Sequence, residues 1–168
     1  MNWLLPEGAS LSFHGLDQPL RILRGLGGGT QGQVFAVELE GSGRGEALAL
    51  KWYLPSCIRR DPQLRARLHQ SIRLGAPNAD FLWPLALLEP AASEPASGFG
   101  YLMPLRPEGF VGAHLHAGGE LEISLQNVVQ ACFRLADGFH HLHLKGLCYK
   151  DVSLGNLFLQ PSGGHILI

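Results

Sequence analysis

Cysteine is scarce in this sequence: three residues in 168, Cys57, Cys132 and Cys148, odd in number and far apart. That pattern excludes a disulfide framework and points to a reducing, cytoplasmic setting. Net positive charge is also missing. The formal net charge is −1 with His neutral, so there is no global basic field to hold nucleic acid or an anionic membrane surface. No uncharged run is long enough to span a bilayer. The opening Met1–Glu7 lacks a basic region and a long apolar run, so no signal peptide is expected. Internal repeats are not evident. Glutamate is absent between Glu46 and Glu89, a gap that matters below.

What remains is the composition of a packed globular protein, 46% hydrophobic and 16% charged, without the polar bias of a disordered chain. A length of 168 residues suits one domain or part of one, and such a chain can bury roughly 70% of its unfolded surface.

The glycines are unevenly placed. Leu20–Arg24 and Gln33–Leu39 read as strands around Gly25-Leu26-Gly27-Gly28-Gly29-Thr30-Gln31-Gly32, in which Gly27, Gly29 and Gly32 make a GxGxxG spacing followed by Val34. A glycine-rich hairpin needs no ligand. A dinucleotide-binding version would open a helix, whereas this one opens a β-branched and aromatic strand, the context of a loop whose N–H groups cover nucleotide phosphates. After a flexible turn at Gly41–Gly45, the run Ala47–Tyr53 alternates: Ala47, Ala49 and Lys51 on one face, Leu48, Leu50 and Trp52 on the other. Lys51 is either a solvated strand lysine or a cation placed beside small residues for a ligand.

Asp61-Pro62 has the chemistry of a helix start, Asp as N-cap and Pro in the first turn. The pattern predicts a helix to about Leu74, stopped by Gly75. Phe81–Leu88 predicts an apolar strand, Ala91–Gly98 a small-residue loop, Phe99–Met103 another strand and Pro104–Gly109 a stiff linker. Residues 110–123 carry little signal. His114 and His116 form an H-x-H, but no cysteine or carboxylate cluster accompanies it, so a solvated loop is expected rather than a metal site. From about Ser124 to Leu144, Leu125, Val128, Val129, Cys132, Leu135, Ala136, Phe139 and Leu142 fall on helical spacing, with Gly146 as the stop. His140, His141 and His143 cannot point to one place from a single helix; imidazoles near a helix C-terminus explain them. The chain then reads Leu147-Cys148-Tyr149-Lys150-Asp151-Val152-Ser153-Leu154-Gly155-Asn156, followed by a hairpin pattern, Leu157–Leu159 and His165–Ile168. Asp and Asn are common loop residues. They are also the types needed for phosphoryl transfer, a carboxylate to orient the attacking hydroxyl and an amide oxygen for magnesium.

Taken together, the GxGxxG hairpin, Ala49-Leu50-Lys51, Leu142-His143-x-x-Gly146 and the Asp151–Asn156 loop resemble, in order and spacing, the signature set of protein kinases, whose strand motif is V-A-I-K and whose catalytic loop is H-R-D-L-x-x-x-N. The texture is similar to that of bacterial Ser/Thr-kinase-like proteins encoded near phosphatase and von Willebrand-type partners. The resemblance implies an α+β, protein kinase-like fold: an antiparallel N-lobe sheet with helix C over about 15–103, a hinge at 104–109, and the first part of a helical C-lobe over 110–168. It implies ATP-dependent, magnesium-assisted transfer to Ser/Thr hydroxyls of a protein substrate. Gly27, Gly28, Gly29, Gly32, Val34, Ala49, Lys51, Met103, Leu105 and Phe158 would contact the nucleotide. Asp151, with Lys51, would be catalytic, and Asn156 would ligate the metal.

Several positions depart from the family pattern. Tyr149-Lys150 stand for His-Arg and Ser153 for the loop Lys. With no Glu in the helix, Gln70 is the nearest candidate to face Lys51. The metal-binding Asp of D-F-G would fall just past Ile168, so the chain is expected to be part of a longer protein and, alone, not a competent kinase. Gly155-Asn156 also resembles aminoglycoside and choline kinases, and the departures leave a nucleotide-binding pseudokinase or scaffold as a further reading.

Overall fold

The structure is a computed structural model and describes residues 3–41, 48–91 and 98–168. Ala47, the Ser42–Gly45 part of the turn and residues 92–97 of the small-residue loop lie outside these. The chain divides into two compact units, Met1–Gly75 with Trp83–Leu105, and Ala76–Leu82 with Arg106–Ile168.

The first unit is built on an antiparallel sheet. Its strands are β1 (Ser10–Leu11), β2 (Phe13–His14), β3 (Leu20–Gly28), β4 (Gly32–Leu39), β5 (Leu48–Tyr53), β6 (Ala86–Pro90) and β7 (Gly100–Pro104), in the order β1-β3-β4-β5-β7-β6-β2 among the described residues. Alternation sorts the side chains as the sequence predicts on β5: Leu48, Leu50 and Trp52 are buried in the main core with Ile22, Phe35, Val37, Leu88 and Leu102. That core face is closed by a segment the sequence reading left without structure. Leu5, Leu11 and Phe13, all buried, complete the cluster, and Phe13 meets the Trp52 ring at 5.8 Å. Each such side chain contributes roughly 1.5–3 kcal/mol by leaving water, which is why so short a segment stays down.

The glycine run differs from its prediction. Strand β3 does not end at Arg24 but continues to Gly28, with Gly25 opposite Phe35, Gly27 opposite Val34 and Gly28 opposite Gln33. Only Gly29–Gln31 turn, closed by Gly29 N donating to Gly32 O at 2.9 Å. Ladder hydrogen bonds hold the glycines extended despite their low strand propensity. Two register shifts accommodate this, between Ile22 and Arg24 and between Gly25 and Gly27. The residues they leave unopposed, Leu23 and Leu26, are 45% and 40% exposed.

Two helices pack on the opposite face. The predicted single helix from Asp61 is instead α1 (Pro55–Arg60) and α2 (Leu64–Leu74). Pro62 cannot sit inside a helix and disfavours the helical region at the residue before it, so Asp61, at φ −131°, ends α1 rather than capping α2. Its carboxylate pairs with Arg67. Gly75, at φ 67°, ends α2 as expected. Leu68 of α2 buries against Tyr53 and Phe99, with Cys57, Ile58, Leu64, Leu87 and Tyr101 around them.

The second unit holds β8 (Val111–Gly112), α3 (Ala113–Ala117), α4 (Leu125–Leu144), β9 (Phe158–Gln160) and β10 (His165–Leu167). The segment read as a solvated loop thus contains a strand and a helical turn: Gly112 pairs with Phe158, Ala113 N donates to Leu157 O at 2.8 Å, and Gly118 N closes the turn on His114 O at 2.9 Å. Ser124 caps α4, its hydroxyl accepting from Asn127 N at 3.2 Å, and Gly146 turns away at φ 72°. The Phe81–Leu88 run is not one strand. Leu82 N donates to Ile168 O, and Asp80 O accepts from Ile168 N. Phe81 sits with Ile168 where Gly138 leaves room on α4; a Cβ there would come within 3.2 Å of Ile168 Cδ1 and 3.5 Å of Phe81 Cε2. Pro84, without an N–H, separates this part from β6. The apolar stripe of α4 is only partly used: Ala131, Gly138 and Leu142 are buried, while Leu125, Val129 and Phe133 are 78%, 61% and 73% exposed. No helix among the described residues is long and apolar enough to cross a membrane.

Candidate functional site

In the first unit the strand register assembles a polar-bordered face opposite the main core. Directly paired residues share a face, and residues two apart on a strand do as well. One row is Gly27, Val34, Lys51 and Tyr101; the next is Arg24, Ala36, Ala49 and Met103. Ala49 is buried, Val34, Lys51 and Met103 are half-buried, and Leu105 follows β7 half-buried. The structure therefore brings Gly27, Val34, Ala49, Lys51 and Met103 together. Small side chains at Ala36 and Ala49 leave the centre of this face low, with a cation at one end.

The glycines of the hairpin are not alike. A Cβ at Gly32 would lie 2.3 Å from the Trp52 carbonyl oxygen, and one at Gly25 would lie 2.2 Å from the Trp3 ring; these two glycines are imposed by packing. At Gly27 and Gly29 an added Cβ meets nothing within 4 Å, and neither has a positive φ. Nothing in the described residues demands glycine there. Glycine also allows close approach of a backbone to a ligand, and these are the positions assigned to it. The exposed Leu26 borders them; sequence reasoning passed over it because its exposure follows from a register shift that no local pattern encodes.

Lys51 Nζ lies 3.5 Å from Gln31 Oε1 and 5.6 Å from the centre of the Tyr53 ring. Gln70 is exposed on α2. Two of the groups near the ammonium are thus a neutral amide from the hairpin turn and an aromatic face. Neither Gln31 nor Tyr53 was singled out from the sequence. Tyr53 is buried against Phe99 and Tyr101, ring centroids 5.5 and 6.0 Å away. Burial, and secondarily Tyr101 and Cys57, push its phenol pKa well above the usual range. Its neutral form presents a ring rather than a charge to Lys51. A cavity of about 510 Å³ in this unit is lined by Ile58, Asp61, Pro62, Arg65, Gly98 and Phe99, and none of the predicted site residues is among them.

In the second unit the loop 147–157 is ordered by its own contacts. Tyr149 stacks on Phe139 of α4, centroids 5.9 Å apart. Its pKa is raised, by burial first and then by the neighbouring Asp151 charge. A 3-10 turn covers Leu154–Asn156, with Asn156 N donating to Ser153 O at 3.0 Å. The Asn156 side chain reaches back, Nδ2 donating to Asp151 O at 3.0 Å. That bond fixes the spacing of the Asp–Asn pair and leaves Oδ1 as the amide atom suited to a cation. Asp151 itself is exposed. Phe158 is half-buried, and the Arg106 guanidinium covers one face of its ring at 4.5 Å.

For magnesium, the donor set fits in part. Mg²⁺ takes six oxygens, typically one or two carboxylates with waters and phosphates. Asn156 Oδ1 offers one ligand and the Asp151 carboxylate is five residues away, but no Asp or Glu follows Asn156 in the sequence. Among the described residues no group of three or more His, Cys, Asp or Glu is placed to hold a metal. His116 Nδ1 is instead 3.0 Å from Leu121 O, and His141 Nδ1 is 2.9 Å from Asp137 O.

No protein-family profile matches the sequence, and no curated protein does. The fold does match solved structures, among them the crystal structure of a point mutant of the Mycobacterium tuberculosis PknI kinase domain. The TM-score is 0.67 at 20% sequence identity, over 98% of this chain and 61% of that one. The chain thus has a protein kinase-like fold, antiparallel sheet and helices, and spans 61% of the length of the kinase domain it matches.

Proposed function

We propose that this chain is the nucleotide-binding and catalytic-loop part of a kinase-like phosphotransferase acting on Ser/Thr hydroxyls of a protein substrate. The observation that carries the reading is the Gly27–Val34–Lys51 row beside Ala36 and Ala49: a cation and two unconstrained glycines bordering a shallow apolar floor. On this reading Lys51 and the backbone of Gly27–Gly29 border the ATP phosphates, with the Gly29 amide spent on closing the turn. Val34, Ala49, Met103, Leu105 and Phe158 contact the base. Asp151 accepts the proton of the acceptor hydroxyl and orients it, and Asn156 offers an amide oxygen to Mg²⁺. Held there, Mg²⁺ would supply positive charge against the phosphates. The chain spans 61% of the kinase domain it matches, so transfer is proposed for a chain of whole domain length. The assignment to a longer protein, the lobe and hinge boundaries, the cytoplasmic setting and phosphatase or von Willebrand-type partners belong to the same proposal.

The test is transfer of labelled phosphate from Mg-ATP by a chain extended to domain length. The acceptors are a Ser/Thr peptide library, an aminoglycoside and choline. Labelling of peptide hydroxyls supports the reading, and labelling confined to the small molecules replaces it with the small-molecule kinase class. Mg-ATP binding without transfer to any acceptor favours the pseudokinase, to which Tyr149-Lys150 for His-Arg and Ser153 for Lys already lean.

A further inference from the structure

The segment Trp3–Phe13 has no part in the chemistry proposed above, yet it is tied to the strands that carry it. Leu4 N donates to Gln33 Oε1 at 2.6 Å, and Gln33 is only 8% exposed. Gly25 N, at the edge of a register shift, donates to Glu7 Oε1 at 2.8 Å. The Trp3 ring fills the space a side chain at Gly25 would need, three of its atoms lying 2.2–2.4 Å from the position of a Cβ, and it meets Phe35 edge-on at 5.5 Å. Gly8 N donates to Ile22 O at 2.7 Å, and Ile22 N donates to Ala9 O at 2.9 Å. Both strands of the glycine hairpin are therefore gripped from the core face, two residues before Gly27 and one before Val34. The tip itself is held through backbone bonds, Gly29 N donating to Gly32 O and Leu54 N to Gln31 O, both at 2.9 Å; its side chains add little, for a Cβ at Gly27 or Gly29 would meet nothing within 4 Å, and Leu26 is exposed.

We propose that this amino-terminal strap is a positioning element for the glycine hairpin. Trp3, Leu4 and Glu7 fix its base so that the backbone of Gly27 and Gly28 is preset beside a nucleotide phosphate. The inference rests on the nucleotide reading above and deepens it. A polyglycine tip left loose loses its conformational freedom on binding, and holding the base in advance removes part of that cost. Glu7 acts through its acceptor oxygen, not its charge; an anion near a phosphate site is a repulsive neighbour.

The experiment uses the 168-residue chain and the variants Trp3→Ala, Glu7→Ala and Glu7→Gln. It measures amide hydrogen exchange over Gly25–Gly32 without ligand, and Mg-ATP affinity by calorimetry. Glu7→Ala and Trp3→Ala are expected to speed exchange of the hairpin amides about tenfold, the factor that ~1.4 kcal/mol represents, and to weaken Mg-ATP binding roughly three- to tenfold. Glu7→Gln, which keeps the acceptor, is expected to stay within about twofold of wild type on both. If Trp3→Ala unfolds the unit, the Glu7 pair, on an exposed side chain, decides alone. Wild-type exchange and affinity in Glu7→Ala overturn the proposal and leave the nucleotide reading standing, as does faster exchange with unchanged affinity. A wild-type chain that binds no Mg-ATP overturns the nucleotide reading instead, and the exchange comparison then reports separately whether the strap holds the hairpin.

Discussion

Glycines separate structural from functional demand at the scale of single residues. Gly32→Ala drives a Cβ into the Trp52 carbonyl and is expected to cost about 1–3 kcal/mol, as overpacking does. Gly27→Ala and Gly29→Ala meet nothing and are expected to leave the unfolding free energy from urea titration within about 0.5 kcal/mol of wild type while weakening Mg-ATP binding. Equal loss of stability in all three would make the hairpin a packing device. Asp151→Asn removes a carboxylate without changing shape; in a domain-length chain it is expected to retain nucleotide and lose transfer by ~10²–10⁴-fold, read as single-turnover rate. Tyr53 predicts a pH dependence. Its folded pKa lies above the ordinary 10.0, so the stability gained by keeping it neutral is full below about pH 10 and is lost as pH rises further. The urea midpoint of wild type should fall more between about pH 9 and pH 11 than that of Tyr53→Phe; parallel curves would contradict the burial argument. Residue types for the site were legible because chemistry restricts them: Lys51, Asp151 and Asn156 stand out by type and spacing. Gln31, Tyr53 and Glu7 were not, because a partner 20 residues away (Gln31 for Lys51), or 18 away (Glu7 for Gly25), is chosen by register and bulges, which no local pattern records.

Elements were legible where periodicity and caps agreed. Helix α4 begins at the Ser124 cap and ends before Gly146, and β5 sorts its faces by alternation. The failures have named causes. Asp61-Pro62 reads as a helix start, yet Pro62 here divides two helices because Pro55 had already opened the first. The Phe81–Leu88 run looks uniform in hydropathy, but its two halves pack into different units with Pro84 between them. The strap at Trp3–Phe13 is too short and irregular to show a period. Helix α4 supports a further prediction. Leu125, Val129 and Phe133 form an exposed apolar stripe, and such patches promote association. The 168-residue chain is expected to self-associate with rising concentration in sedimentation velocity, and the triple change L125S/V129S/F133S to shift it toward monomer. A wild-type chain that stays monomeric at high concentration would show the stripe to be harmless.

For the whole molecule, the two units carry different parts of the proposed chemistry, glycine hairpin and Lys51 in one, Asp151 and Asn156 in the other. The overall α+β class and its kinase-like fold were legible because four motifs fell in one order, a global regularity that survives local errors at element ends. A fold of this kind hosts many chemistries, and its likeness at 20% identity says nothing of substrate; the site residues must speak for that. The claim on which the rest depends is that Lys51 faces a bound nucleotide. Isothermal calorimetry of Mg-ATP with wild type and Lys51→Met measures it directly, since Met keeps the aliphatic bulk and removes the charge. The account predicts saturable one-to-one binding by wild type and affinity at least about tenfold weaker in the variant, a loss of ~1.4 kcal/mol or more, with the melting temperature unchanged. Equal affinity in the two proteins would contradict it.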